Sequence, residues 1–488
     1  MDDVPLAPRQ LPITRHRKRQ RAESPLFINH RPVLVEGHYS LQVHISIDFP
    51  MTQLIDDIIL IVLTFCDICA VLAASQASRN LHALAFSQKV WRALVGDLCR
   101  RFFLDIPLGA RLDDSSTDEL VNLVKRIVHG PRSWTASKGS SQHGPTVMLQ
   151  TLLKPETLHG PGIVAWPNQA QLLPGGAFVF YENWGKLECW AVETKKLIWT
   201  YAEEGTRWLD TFAVEATNGD YRNVIEILHL DLNTGNSRRL FNEHAHDTFY
   251  DNPFSSLRVQ GDYALADVSM LDGESHQIIL FEVSTLTARS FKLQQNEYDM
   301  DLVSGNLVMV SRDLKAPHKL LDIRLWRMAN LFQLDNGTLL DAISPQIATS
   351  VKLTKQCRQL RFHIEAHPSP LCSNESRIWM LAFLSSSKFT LIRQYHVSHA
   401  EAQPLSMRCI KSDAKNVAKG LYDKWSDWSR ISYAGHVHTD NKIYSLSNTK
   451  QPEIELPVLN EGGYAHLSAY SGALAYTKDE NLVVTYYE

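Results

Sequence analysis

No apolar run in this chain of 488 residues is both long and uncharged. The most apolar stretch, QLIDDIILIVLTFCDICAVLAASQ from Gln53 to Gln76, is broken by Asp56, Asp57 and Asp67. A membrane span needs about 20 nearly uncharged residues. Each carboxylate at mid-bilayer costs about 2.5–3.5 kcal/mol, so no membrane partner is expected. Cysteine is scarce: seven, scattered at 66, 69, 99, 189, 357, 372 and 409. An odd, dispersed set does not make a disulfide scaffold and points to a reducing compartment, cytoplasmic and/or nuclear. An apolar signal-peptide core is missing from the N-terminus, so secretion is not expected. Strong charge of one sign is missing too. The net charge of −4 leaves no bulk attraction to nucleic acid or anionic lipid.

The motifs of bond chemistry are equally hard to find. There is no Gly-x-Ser-x-Gly elbow, and Leu173-Pro-Gly-Gly176 has no Gly-Lys-Ser/Thr behind it, so it reads as a turn. Cys66-Asp-Ile-Cys69 has the spacing of a zinc half-site, but a structural site needs four ligands. Only His82 lies between this pair and Cys99. Buried structural cysteine is the plainer reading. HAHD, His244 to Asp247, can place two imidazoles, His244 and His246, on one strand face, and His436 with His438 repeats that spacing, but each pair lacks a third ligand at a convincing distance and reads as surface-loop histidines. Arg238, Arg239, Arg358 and Arg361 suit an acidic or phosphorylated motif, or are simply solvated. No catalytic residue, metal or cofactor is expected.

What is present divides the chain. Hydrophobic residues make up 44% and charged residues 21%, ordinary for a globular protein of two to three domains. Residues 1–50 read as a disordered or accessory segment. They hold a basic run, RHRKRQR (Arg15 to Arg21), that suits a nuclear import signal, a phosphate-binding arm or a solvated tail. Met51 is read as a possible native start, with the stretch before it an extension that intact-mass measurement would reveal.

From Leu54 the spacing turns helical. Leu54, Ile58, Ile61, Val62 and Phe65 recur at 3.6-residue intervals, and Asp67 suits the N-cap of a second helix. SQKVWRALVGDLCRR puts Trp91, Leu94, Val95 and Leu98 on one face, with Ser87 as a candidate cap. SSTDELVNLVKRIVHGP carries a capping box, Ser116-x-x-Glu119, and stops at Gly130-Pro131. These last two helices suggest a rigid spacer, followed by a flexible joint, ASKGSSQHGP.

The window from Gln53 to Leu94 resembles an F-box, the helical module that docks on the Skp adaptor of cullin-based ubiquitin ligases. Leu54-Ile55-Asp56-Asp57-Ile58-Ile59 stands where the family has Leu-Pro-x-Glu-Ile-Leu. Val62-Leu63-Thr64-Phe65-Cys66 stands for Ile-Leu-x-Phe-Leu, and Asp67 holds the acidic place. Leu72, Ala77-Ser78-Arg79-Asn80-Leu81, Leu84 and the closing Trp91 follow in order. Ile55 replaces a proline and Cys66 a leucine. The resemblance implies adaptor contacts from Leu54, Ile55, Ile58, Ile59, Val62, Leu63, Phe65, Leu72 and Trp91. The residues themselves agree with a docking module. About 40 residues rarely bury enough surface to fold alone, and the first helix is apolar most of the way around, so it must be covered on all sides. An internal helix of a larger all-α domain is the alternative.

From about Thr146 the period becomes two. Short strands rich in Val, Ile, Leu, Tyr and Trp alternate with turns, and equivalent turns at Thr194, Thr234 and Thr285 lie 40 and 51 residues apart. Four-stranded propeller blades repeat at about 40–50 residues. This part resembles a degenerate WD-repeat propeller, closest in the first copy with Gly185, Leu187, Trp190 and Thr194, although Gly-His and Trp-Asp dipeptides are missing. An irregular pair of β-sandwiches is the alternative.

The expected architecture is therefore multidomain, α plus all-β: an F-box-like module at 51–95, a helical linker at 96–135 and a β-propeller of about seven blades at 146–488. The resemblance implies a non-catalytic substrate receptor of a Skp–cullin–F-box ubiquitin ligase, holding an unknown protein target on its propeller. A propeller-fold enzyme with a helical appendage, or an F-box scaffold without a ligase role, are the rival readings.

Overall fold

A computed structural model describes residues 56–104, 112–134, 145–155, 170–182, 186–202, 206–210, 213–216, 222–245, 254–270, 275–294, 297–312, 320–352, 360–384, 389–399, 404–415, 430–439, 442–447, 454–456, 465–478 and 481–488. Leu54, Ile55, the basic run at 15–21 and the joint at 136–145, save its last residue, lie outside them. No helix among the described residues is long and apolar enough to cross a membrane.

Five helices come first: α1 (Asp56–Thr64), α2 (Ile68–Ala77), α3 (Arg79–Ala85), α4 (Gln88–Arg100) and α5 (Thr117–His129). Their boundaries follow local chemistry. Asp67 caps α2 by accepting from the Ala70 amide at 2.8 Å, and Ser78 caps α3 through the Leu81 amide. Ser116 and Glu119 form the reciprocal capping box of α5, which ends at Gly130 in a left-handed conformation. Ser87 holds the N-cap position of α4 but makes no side-chain cap bond. The amphipathic stripe of α4 is buried as its spacing predicts, with Trp91, Leu94, Val95 and Leu98 in the helical core.

The remaining chain forms β-sheets in sequence order. Six have four or five strands. A seventh, His436–Thr439, Lys442–Ser445 and Ile454–Glu455, has three among the described residues. The expectation of about seven like blades is thus corrected to six full blades and one short sheet. Thr194, Thr234 and Thr285 sit in the hairpins between third and fourth strands of the first three blades.

Hydrophobic clusters close these sheets into a ring. Cys189 and Trp199 pack the first blade on the second. Ile225 meets Val268 and Ile279 between the second and third. Leu280 and Trp326 join the third and fourth, and Ile323 and Met380 the fourth and fifth. Trp379 and Val437 reach the short sheet, Ile443 and Tyr476 carry on to the last blade, and Val179 and Val484 return to the first. The last blade is stitched from both ends of the domain: Val147–Leu153 pairs antiparallel with Asn481–Tyr487. Closing a ring of blades is how a propeller manages its sheet edges.

Helices and ring form one compact unit. Tyr433, Tyr470 and Leu371 from the ring belong to the helical core. Phe103 meets the Tyr470 ring edge-on at 4.8 Å, and Arg101 donates to the Ser369 carbonyl at 2.8 Å. Beyond α5, Trp134 is fully buried against His436 and Tyr487, while Ser133 donates its amide to the Glu488 carbonyl at 2.7 Å. The helices are therefore part of the ring's packing rather than a spacer beside it.

Candidate docking surface and polar axis

The core residues of α1 point one way and leave a second apolar stripe open. Ile59 and Leu63 are 4% and 5% exposed, whereas Ile58, Ile61, Val62 and Phe65 are 45%, 50%, 54% and 86% exposed. The exposed set follows i, i+3, i+4, i+7 spacing, so it lines one face of the helix. A contiguous apolar stripe left in water marks an interaction surface more often than single exposed residues do. Of the nine residues expected to touch an adaptor, Ile58, Val62 and Phe65 lie on this stripe. Ile59, Leu63 and Trp91 are core residues of the helical cluster, with Trp91 only 2% exposed. Leu72 is half-buried against the same core. Ile61, not among the nine, joins the stripe.

A second feature lies on the innermost strands, where the first strands of neighbouring sheets meet. Tyr298–Val303 carries Asp299 and Asp301, and Leu360–Pro368 carries His363, Glu365 and His367. Period-two spacing puts each set on one side of its strand. Asp299 Oδ2 accepts the Ile364 amide at 2.8 Å, Asp301 Oδ2 accepts the Ala366 amide at 2.7 Å, and Glu365 Oε2 accepts the Ile431 amide at 2.5 Å. Each acid thus satisfies a backbone donor on the exposed edge of the next inner strand, a donor that would otherwise be buried unpaired.

Cations complete the chain of charge. Arg258 Nε lies 3.6 Å from Asp301, His363 Nδ1 lies 3.0 Å from Asp299, and Arg430 Nη1 lies 4.0 Å from Glu365. Burial pushes the Asp301 carboxyl up, to about 6, against the pull of Arg258 and the Ala366 amide. At Glu365, burial is outweighed by His363, Arg430 and His367, which bring the carboxyl down to about 2. At His363, burial is outweighed by Asp299 and Glu365, which raise the imidazole to about 9. His466 goes the other way: burial pushes it down to about 3, and as a neutral ring it accepts the Leu172 amide through Nδ1. Local spacing in the sequence does not reveal this cluster, because its members come from separate blades.

The other candidate residues separate. His436 and His438 are not surface-loop residues: they sit on a buried strand, 2% and 6% exposed. The His244 side chain, Asp247 and Arg358 lie outside the described residues. Arg361 is exposed, and exposed Arg239 pairs with buried Glu226. Leu173-Pro-Gly-Gly176 is a turn between two strands, as expected.

Cys69 is not a quiet buried thiol. It is disulfide-bonded to Cys372, 303 residues away, with Cα atoms 5.8 Å apart. The Cys69 amide also donates to the Leu371 carbonyl at 3.2 Å. Among the described residues, Cys66, Cys99, Cys189 and Cys409 form no disulfide. The Glu375 carboxylate lies with both sulfurs, one ligand atom from each residue falling within 4.8 Å of the others.

No family model matches the chain, and no curated protein matches it. Solved structures similar to it include the WD40 domain of SCAP from fission yeast, at 12% identity and TM-score 0.35 over 65% of this chain and 84% of that one. Hydrazine synthase from Kuenenia stuttgartiensis is similar at 9% identity and TM-score 0.36, over 68% and 98%. The N-terminal domain of Nup159 is similar at 10% identity and TM-score 0.33, over 72% and 98%. Likenesses this remote bear on neither activity nor partners. The propeller rests on the closed ring of sheets.

Proposed function

We propose that the protein is an F-box-type substrate receptor: the helices dock on a Skp adaptor of a cullin ubiquitin ligase, and the ring holds a protein target. The observation that carries the reading is the exposed stripe Ile58, Ile61, Val62 and Phe65 on a helix whose other face is already buried. Burying such side chains is worth about 1.5–3 kcal/mol each when complete, enough together for a specific contact once association costs are met. The stripe lies in the segment that resembles an F-box. The receptor would perform no bond chemistry. Its contribution is proximity, raising the effective concentration of a target lysine beside the charged conjugating enzyme. The polar axis is read as structural, because its carboxylates are already committed to backbone amides.

The test is Ile58→Lys, which places an ammonium in a surface that must become dry. Co-purification with the Skp adaptor should fall at least tenfold while the melting temperature stays unchanged, since Ile58 is not a core residue. Equal recovery of adaptor by variant and wild type would reject the F-box reading. Adaptor binding without cullin recruitment would favour a scaffold outside the ligase.

A further inference from the structure

We propose that Cys69, Cys372 and Glu375 form, in the reduced protein, a binding site for a thiophilic divalent cation of the zinc class, stapling the helices to the ring. The Cys66-x-x-Cys69 spacing pointed to the wrong partner. The structure puts Cys69, in the first turn of α2, against Cys372 in the turn between Leu360–Pro368 and Glu375–Leu384. The third ligand is the Glu375 carboxylate, with one atom from each of the three within 4.8 Å of the others.

Three features make this a built site rather than a chance encounter. Two sulfurs and one carboxylate oxygen are a donor set that zinc-class ions accept. Glu375 is oriented from outside by His396 Nε2 at 3.0 Å, the kind of supporting contact that fixes a metal-ligating carboxylate. The backbone is held as well: the Ser369 hydroxyl accepts the Leu371 and Cys372 amides, each at 3.2 Å, and the Cys69 amide bonds to the Leu371 carbonyl. Three protein ligands leave one tetrahedral position for solvent.

The chemistry balances without an outside oxidant. A dithiol reductant converts the disulfide to two thiols and becomes a disulfide itself. A divalent cation then displaces two protons, one from each thiol, and binds both thiolates with the carboxylate. The reduced protein therefore keeps, as a coordinate bond, the link that the disulfide makes in the oxidised one.

The experiment uses the full chain, reduced, stripped with a chelator and desalted without oxygen, then titrated with Co²⁺ or Cd²⁺. One equivalent should bind, with a sulfur-to-metal charge-transfer band and release of two protons. C372S and C69S should abolish the band, and E375Q should weaken binding at least tenfold. H396A should weaken it by about tenfold, and C66S should leave it unchanged. Melting curves of each stripped variant separate lost ligation from lost fold. Failure of the reduced wild type to take up a stoichiometric ion overturns the proposal. So does return to the disulfide in the presence of excess ion without a band, or loss of the band in C66S.

Discussion

Asp301 on the innermost strand of the fourth blade accepts, at 2.7 Å, the amide of Ala366 on the innermost strand of the fifth. Its other oxygen accepts the Leu302 amide and faces Arg258. One side chain thus holds two blades and one cation. Asp301→Ala leaves the buried Ala366 amide without its acceptor and the Arg258 guanidinium without the carboxylate that faces it at 3.6 Å, and removing one member of a buried pair costs about 3–5 kcal/mol. Urea unfolding should show a loss of about 3 kcal/mol or more. Asp301→Asn, which keeps an oxygen for the Ala366 amide, should lose less. A loss below about 1 kcal/mol in the alanine variant, within the range of ordinary surface substitutions, would show that the axis is not a cross-blade tie.

Gly472 takes φ +66°, and a Cβ there would stand 2.4 Å from Pro131 Cγ and 2.5 Å from Cδ. The helical segment therefore approaches the last blade too closely for any side chain at this turn. Gly472→Ala combines left-handed strain of about 1–3 kcal/mol with this clash and should lower stability by at least about 2 kcal/mol. Adding Pro131→Ala should return the clash part but not the strain part. A double-mutant cycle with no coupling energy would mean that the seam is loose.

Much of this was legible in the sequence, and the misses share a cause. Caps at Asp67 and Ser116, the α4 stripe and the repeated Thr turns depend on neighbours a few residues away, and each is found in the structure. Period two shows that Asp299 and Asp301 share a face, but not whether that face meets water or another blade. Helical spacing likewise shows that α1 has two apolar stripes without showing which one the chain itself covers. The F-box resemblance therefore groups Ile59 and Leu63 with Ile58 and Val62. The Cys69–Cys372 bond spans 303 residues, beyond the reach of any local spacing. The short seventh sheet stayed hidden because strand-like segments do not reveal how many of them pair.

The C-terminal strand Asn481–Tyr487 lies inside the last blade, between Val147–Leu153 and Ala473–Lys478. Deleting Asn481 to Glu488 strips a ladder on both sides and exposes Leu482, Val483 and Val484, all at most 1% exposed. Aggregation, or a melting temperature lower by at least about 10 °C, is the expected outcome. Deleting residues 1–145 should also lower the melting temperature, because Tyr433, Tyr470 and Tyr487 lose the helices and Trp134 that cover them. A truncated ring lacking 1–145 with unchanged melting would show that the shared core contributes nothing.

Acid should loosen the same seam through His436. This imidazole is 2% exposed, stacked edge-on with Trp134 and close under Gly130, and burial pushes it from the usual 6.5 down to about 4. In the unfolded chain it takes a proton near pH 6.5; in the folded protein it refuses one until about pH 4. Between those values the unfolded state binds more protons, so stability is present above pH 6.5 and falls as pH drops. The total loss from this group is at most about 3 kcal/mol, at about 1.4 kcal/mol per pH unit. Asp301, with its carboxyl raised to about 6, works in the opposite sense, and His466, pushed down to about 3, works in the same sense, so the wild-type profile alone mixes them. Comparing wild type with His436→Asn isolates the imidazole: the variant's melting temperature should fall less steeply between pH 6.5 and 4. Parallel profiles would mean that His436 accepts a proton in place, and that the packing of Trp134 against it leaves room for charge.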